Sequence, residues 1–259
     1  LRNNVIEIGV DKSSLPWPTA CNCLKDDFCS KMNLNPVYVQ VIPKTRYQSH
    51  LQISIGGKVG HENLAGQNSF GTLGGFLLPV NGVNDLHIVS NNHVLADSNN
   101  GYIGDDVYYM ENGIPMRIGF LKNYVPISTV EANKLDLAVA ELHNFRNNGT
   151  LRVGKFRKPA IGERVYKQGA KTNYTEGLVR SLNYSTKIDY PGFTAVFVDQ
   201  LQIISAYSNT SFSLPGDSGS VIKASSDDAH VGLLFGGNGQ WTVANHQVDV
   251  ARQLKEWFN

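Results

Sequence analysis

The chain has 259 residues, a formal net charge of +1, 41% hydrophobic residues and only 17% charged ones. That length and apolar content allow a packed core of more than one layer pair. Near-neutral charge argues against a nucleic-acid or anionic-membrane surface, and no apolar run reaches the ~18 residues of a membrane-spanning helix. The first residue is Leu rather than Met, as in a processed or trimmed product. Asn, Ser, Gly and Tyr replace the missing charges, which favours a secreted character. Sequons at Asn148, Asn173, Asn183 and Asn209 matter only in a eukaryotic secretory pathway.

Residues 1–62 read as an N-terminal extension. Residues 5–10 (Val-Ile-Glu-Ile-Gly-Val), 37–42 and 51–55 alternate or run apolar like strands. Residues 13–35 carry prolines and the cysteines Cys21, Cys23 and Cys29, and read as irregular. One disulfide with a spare thiol and three free thiols both remain open, and a zinc site would need a fourth ligand from far away. Two strands in the extension need a sheet partner, so it is expected to pack on the rest of the chain.

From Phe70 onward short strands recur, separated by turn signals at Gly82, Asn99-Asn100-Gly101, Asn112-Gly113 and Asn147-Asn148-Gly149. Many short strands with such turns predict a sandwich or a barrel, divided between residues 63–144 and residues 145–259, the latter ending in a helix. In that helix Val250, Leu254, Trp257 and Phe258 fall on one face.

Three segments carry chemistry. Asn92-His93-Val94 follows an apolar strand, Asp136 sits in the apolar run 135–142, and Gly216-Asp217-Ser218-Gly219-Ser220 forms a Gly-rich turn after Pro215. A serine hydroxyl is a poor nucleophile until a base takes its proton; His93 is the candidate base for Ser218. Asp136 is the candidate that fixes the imidazole tautomer and stabilises its cation. A carboxylate inside an apolar strand is costly without a partner, and the presence of the His93 and Ser218 segments in the same chain favours that role over an incidental strand-end acid. Gly216 lets the backbone aim its own N–H and that of Ser218 at one spot, as an oxyanion hole requires. The other histidines show no metal-ligand spacing, and no phosphate-binding or dinucleotide fingerprint occurs. No cofactor or metal is expected.

The order His, Asp, Ser separates this arrangement from the other serine-hydrolase orders. At these residues the chain resembles the chymotrypsin-like (trypsin-like) serine peptidase superfamily. Further matches are Gly56-Gly57-Lys58-Val59-Gly60-His61, Gly71-Thr72-Leu73-Gly74-Gly75-Phe76, Gly169 to Gly177 and Val231 to Gly237. The likeness covers roughly residues 52–259, in the form of a microbial branch related to plant narrow-leaf-type proteins.

The resemblance implies an all-β fold of two six-stranded antiparallel β-barrels with an N-terminal extension and a C-terminal helix. It implies an endopeptidase acting on a polypeptide through an acyl-enzyme, with His93, Asp136 and Ser218 catalytic and Gly216 and Ser218 forming the oxyanion hole. A catalytically silent binding or scaffold module on the same fold is the alternative. Phe212 and Ser213 would lie at the base of the primary specificity pocket, with Phe235, Gly236, Gly237 and Thr242 along its walls; Phe212 would fill the pocket and favour small or medium apolar side chains.

Two departures stand out. The serine that usually bonds the catalytic Asp aligns with Leu234. The inserted N-terminus that usually pairs with the acid before the nucleophile has no counterpart, so Asp217 is expected to be held by internal hydrogen bonds or a fixed side chain.

Overall fold

The computed structural model describes residues 6–10, 39–43, 53–65, 69–77, 86–143 and 155–258. It divides into two compact units, Leu1–Gln52 and Ile53–Asn259. In the first, strands β1 (Ile6–Val10) and β2 (Val39–Pro43) pair in parallel, Ile6 opposite Val39. Cys21, Cys23, Cys29, the rest of the irregular segment, and the turn signals at Gly82 and residues 147–149 lie outside the described residues.

The second unit is built on two curled antiparallel sheets. The first sheet holds β3 (Lys58–His61), β4 (Gly71–Thr72), β5 (Gly75–Leu77), β6 (His87–Ser90), β7 (Asp106–Glu111), β8 (Ile114–Tyr124) and β9 (Ala138–Leu142). Its spatial order is β4-β3-β7-β8-β9-β6-β5. The edge strands β4 and β5 are consecutive in the chain, with only Leu73 and Gly74 between them. Two residues span a few ångströms, so the sheet must curl until its edges meet. Counted as one bent strand, β4 and β5 complete a six-stranded barrel.

The second sheet is a closed barrel of β10 (Arg164–Gly169), β11 (Asn173–Tyr190), β12 (Phe193–Ser205), β13 (Val221–Ala224), β14 (His230–Gly237) and β15 (Thr242–His246), in the order β10-β11-β12-β15-β14-β13. Closure pairs each strand on both sides along part of its length, while the outer β11–β12 hairpin and the Gly236-Gly237 end of β14 extend beyond that part.

Local chemistry explains much of this. Asn112 and Gly113 both take positive φ, 50° and 83°, in the two-residue turn that joins Glu111 to Ile114. This is the mirror-type turn whose twist suits a hairpin, and Asn-Gly is its preferred dipeptide. Helix α3 (Gln247–Phe258) buries Val250 fully and packs Leu254, Trp257 and Phe258 on a cluster of Val89, Leu135, Leu137 and Val139 from one sheet side and Val221 and Leu233 from the other. The helix therefore staples the two barrels. No helix of the described residues is long and apolar enough to cross a membrane.

The start of the first barrel differs from the sequence expectation. Residues 53–55 are not a strand, because Gly56 (φ +85°) turns the chain. Gly56 N–H donates to the Leu73 carbonyl and Leu73 N–H to the Gly57 carbonyl, 2.8 Å each, clamping the bend between β4 and β5. Strand β3, which falls within the segment 1–62, lies between β4 and β7, and its Val59 is fully buried. Helix α1 (Glu62–Ala65) follows it directly.

Removing β3 would expose both flanking edges. A chain beginning at Asn63 is expected to melt on the order of 10 °C below one beginning at Ile53, from the loss of a ladder strand and a buried valine. Calorimetry on the two truncations checks this; equal melting temperatures would show that β3 is dispensable.

Candidate active site

The site is assembled around the bent strand β4–β5. Thr72 is fully buried and bonds in three directions. Its N–H donates to the Ser218 carbonyl (2.7 Å), its hydroxyl donates to the Gly216 carbonyl (2.8 Å), and its carbonyl accepts from the Ser90 hydroxyl (2.8 Å). The loop carrying Ser218 is thus fixed to the strand that leads into His93. Close approach is possible because Gly71, Gly74 and Gly219 lack side chains. A Cβ on Gly71 would overlap Val94, and one on Gly219 would overlap Ser90 and Thr72.

His93 lies on the short helix α2 (Asn92–Leu95), directly after β6. The two asparagines before it build that turn. Asn91 donates to the Asp136 carbonyl (2.7 Å), and Asn92 donates to Asn99 Oδ1 and to the Val125 carbonyl, 2.7 Å each. His93 Nδ1 then stands 2.6 Å from Asp136 Oδ2, and the His93 N–H donates to Oδ1 at 3.3 Å. Facing a carboxylate, Nδ1 carries the proton, which leaves Nε2 as the free acceptor.

Asp136 is 0% exposed. Its second hydrogen-bonding side chain is one the sequence did not reveal: the Tyr190 hydroxyl donates to Oδ2 at 2.8 Å. Burial, then the neighbouring carboxylate and this hydrogen bond, push the Tyr190 phenol far above its ordinary value, so it is a donor at neutral pH. Tyr190 ends β11, and the two-residue turn Pro191-Gly192 returns the chain to Phe193. The outer part of this long hairpin reaches the loop before Asp136: Asn133 N–H donates to the Val196 carbonyl (2.8 Å) and Val198 N–H to the Asn133 carbonyl (3.0 Å). Asn245 of β15 accepts the Asp136 N–H (3.1 Å) and donates to Gln200 (2.8 Å). A residue of the first half is therefore positioned by both barrels.

Ser218 follows a turn whose chemistry is local. Asp217 N–H donates to the Leu214 carbonyl (3.0 Å), with Pro215 and Gly216 between and Gly216 at φ +106°. Pro then Gly with positive φ is the type II turn, which fixes the side on which the Gly216 N–H projects. Among the described residues neither the Gly216 nor the Ser218 N–H has a hydrogen-bond acceptor. The Ser218 hydroxyl donates to the Phe235 carbonyl at 3.4 Å, and no hydrogen bond joins it to His93.

Asp217 is fully buried, and its support comes from inside the second barrel. Lys171 N–H (2.9 Å) and Thr172 N–H (3.0 Å) donate to Oδ1; the Thr172 hydroxyl (2.7 Å) and Leu214 N–H (2.9 Å) donate to Oδ2. Lys167 of β10, also 0% exposed, places its ammonium 3.3 Å from Oδ2 and donates to Thr172 Oγ1 at 2.5 Å. Gly169 makes the room, since a Cβ there would meet Asp217 Oδ1 and Lys167 Nζ. Burial alone would raise the Asp217 carboxyl, but the donations from Leu214 and Thr172 and the Lys167 charge outweigh it and hold it below the usual carboxylate range. Burial pulls the Lys167 ammonium down against the attraction of Asp217. The internal hydrogen bonds and fixed side chain expected for Asp217 are thus present.

Two sequence expectations are corrected. The Phe212 side chain, 2% exposed, does not fill a pocket; it joins the second-barrel core with Val165, Val179, Leu201, Ile203 and Ile222, beneath the Lys167 ammonium. Leu234 points into the same core, whereas Phe235 packs with Ile127, Tyr190 and Phe197. The alternation of a strand sends neighbours to opposite faces, so Phe235 rather than Leu234 occupies the side facing Asp136. Of the remaining pocket candidates, Ser213 and Thr242 bond each other through their buried hydroxyls at 2.6 Å. Gly237 pairs with Thr242, and Gly236 has Ile188 of β11 close to where a Cβ would stand. A recess of about 620 Å³ beside Trp241, lined also by Arg180, Tyr207 and Asn209, includes none of His93, Asp136 and Ser218.

Replacing Lys167 by Met would leave Asp217 charged and buried without a cation. Breaking a buried pair in this way costs about 3–5 kcal/mol, read as a lower urea midpoint. The depressed Asp217 stabilises the fold above its unfolded value near ~3.9 and loses that contribution as pH falls further. Lys167→Met brings the folded-state value toward the unfolded one, so the parent's advantage over the variant is expected to be full above ~3.9 and to shrink as pH falls below it; an unchanged urea midpoint at neutral pH, or a difference that does not narrow in acid, would contradict this.

No family model matches the chain, and no curated protein does. Solved structures do. Thermobifida fusca Protease A is 16% identical over 78% of this chain and 96% of its own, with a TM-score of 0.52. Nocardiopsis protease is 19% identical over 78% and 95%, with a TM-score of 0.53. A glutamic acid-specific serine protease, described as using a histidine triad in substrate binding, is 15% identical over 78% and 98%, with a TM-score of 0.52. At such identities the likeness is one of architecture, and the chain has the double-barrel fold of the chymotrypsin-like serine proteases.

Proposed function

We propose that the chain is a serine endopeptidase that cleaves peptide bonds through an acyl-enzyme formed on Ser218. The observation that supports this best is the 2.6 Å contact of His93 Nδ1 with the buried Asp136 carboxylate, on a loop tied through Thr72 to the Ser218 turn. In this reading the Ser218 hydroxyl leaves the Phe235 carbonyl for His93 when substrate binds; catalytic hydrogen bonds are often long or misaligned before that.

In this reading His93 Nε2 takes the Ser218 proton as Oγ attacks the carbonyl carbon. The oxyanion is held by the N–H groups of Gly216 and Ser218. His93 returns the proton to the leaving amine, and a water deprotonated by His93 then releases the acyl group and regenerates Ser218. The substrate lies extended along β14 near Gly236 and Gly237, adding main-chain hydrogen bonds to a strand edge. The paired hydroxyls of Ser213 and Thr242 favour an uncharged side chain in the primary pocket.

A silent scaffold module is the second reading, favoured by the Ser218–Phe235 hydrogen bond. Casein hydrolysis decides between them. Ser218→Ala and His93→Ala are expected to abolish it, because such residues act as a unit. Asp136→Asn should lower kcat by about 10⁴, as in the Ser-His-Asp template. A parent protein inert toward casein, or a Ser218→Ala variant as fast as the parent, would contradict the proposal.

A further inference from the structure

Asp136 Oδ2 receives two donors, His93 Nδ1 at 2.6 Å and the Tyr190 hydroxyl at 2.8 Å. Both donors share one oxygen of a carboxylate with 0% exposure, so neither is screened by water. The Tyr190 ring has little freedom. It stacks on Phe193 with centroids 5.1 Å apart, lies 6.3 Å from Phe197, and leans toward the His93 ring at 5.8 Å. Strand β14 offers no alternative side-chain donor at Leu234 or Phe235, since Leu234 points into the barrel core and Phe235 presents an aromatic ring.

The geometry points to Tyr190 as the positioning residue for His93, acting through Asp136 from the tip of the β11–β12 hairpin. This rests on the proposed triad. Its hydroxyl fixes which carboxylate oxygen faces the imidazole and takes a share of the negative charge on that oxygen. Without it the carboxylate can rotate, and its whole charge bears on the imidazole. The imidazolium is then over-stabilised, so the neutral base is reached only at higher pH.

Other charged or titratable groups on the surrounding elements are engaged elsewhere. Lys134 pairs with Asp199, Asp97 accepts from Asn63, Asp189 accepts from Thr194, and His246 Nε2 lies 2.7 Å from the Leu182 carbonyl.

The test compares the full chain with Tyr190→Phe and with 3-fluorotyrosine at position 190, whose ring is near-isosteric and whose hydroxyl is a stronger donor. The His93 imidazole is titrated by ¹⁵N NMR, a readout independent of turnover, and kcat/KM is measured against pH on a peptide substrate. For Tyr190→Phe the titration midpoint is expected to rise by about one pH unit and kcat/KM at pH 6 to fall about tenfold or more, in line with a hydrogen bond to a charged group. The fluorinated ring should move the midpoint the opposite way. Thermal melts identify a Tyr190→Phe chain that fails to fold, and the fluorinated variant then decides alone. Unmoved midpoints in the folded variants would overturn the inference. If the midpoints move while the parent shows no hydrolysis, the positioning role stands and the peptidase reading fails.

Discussion

A fully buried carboxylate at Asp136 is the constraint on which the arrangement turns. Taking that charge out of water costs several kcal/mol unless hydrogen bonds replace the lost solvation. His93 and Tyr190 supply them to the side chain, and Asn91 and Asn245 hold the backbone on either side. Those partners come from α2, β11 and β15, so meeting the needs of one acid ties the first barrel to the second. The cleft geometry is a by-product of that requirement.

Asp217 solves the same problem differently. Its donors come from two short stretches, residues 171–172 and Leu214, with Lys167 as the countercharge. All of these belong to the second barrel. The turn that carries Ser218 is thereby held by the barrel's own backbone N–H groups together with the Thr172 and Lys167 side chains, and the Pro215-Gly216 turn keeps its form through the Asp217 N–H. The two buried acids fix the two halves of the site independently, and Thr72 joins them.

What could be read from the sequence was local. The strand-and-turn rhythm, the Asn112-Gly113 hairpin and the apolar face of the last helix follow from short-range rules; the double-barrel architecture came from the resemblance carried by the motifs around His93, Asp136 and Ser218. The rest depended on long-range partners. Tyr190 lies 54 positions from Asp136, on a strand whose bulges between Val179 and Thr186 defeat any count of inward and outward residues. Lys167 occupies an inward place between Val165 and Gly169, where a lysine reads as exposed unless a buried acid is known to wait for it. Gly169 was the available clue, as a missing side chain beside a buried pair. Strand β3 falls within the segment read as an extension, because the role of Gly56 and Gly57 as a clamp on Leu73 depends on a partner 16 or more positions away. The resemblance puts Phe212 at the pocket base, and core packing claims its ring instead.

The central claim is that Ser218 is an activated nucleophile. Reaction of the intact chain with a fluorophosphonate, followed by peptide mapping in a mass spectrometer, tests it most directly. The account predicts a single covalent adduct on Ser218, formed far faster than in a His93→Ala chain. No adduct, or equal labelling with and without His93, would contradict it.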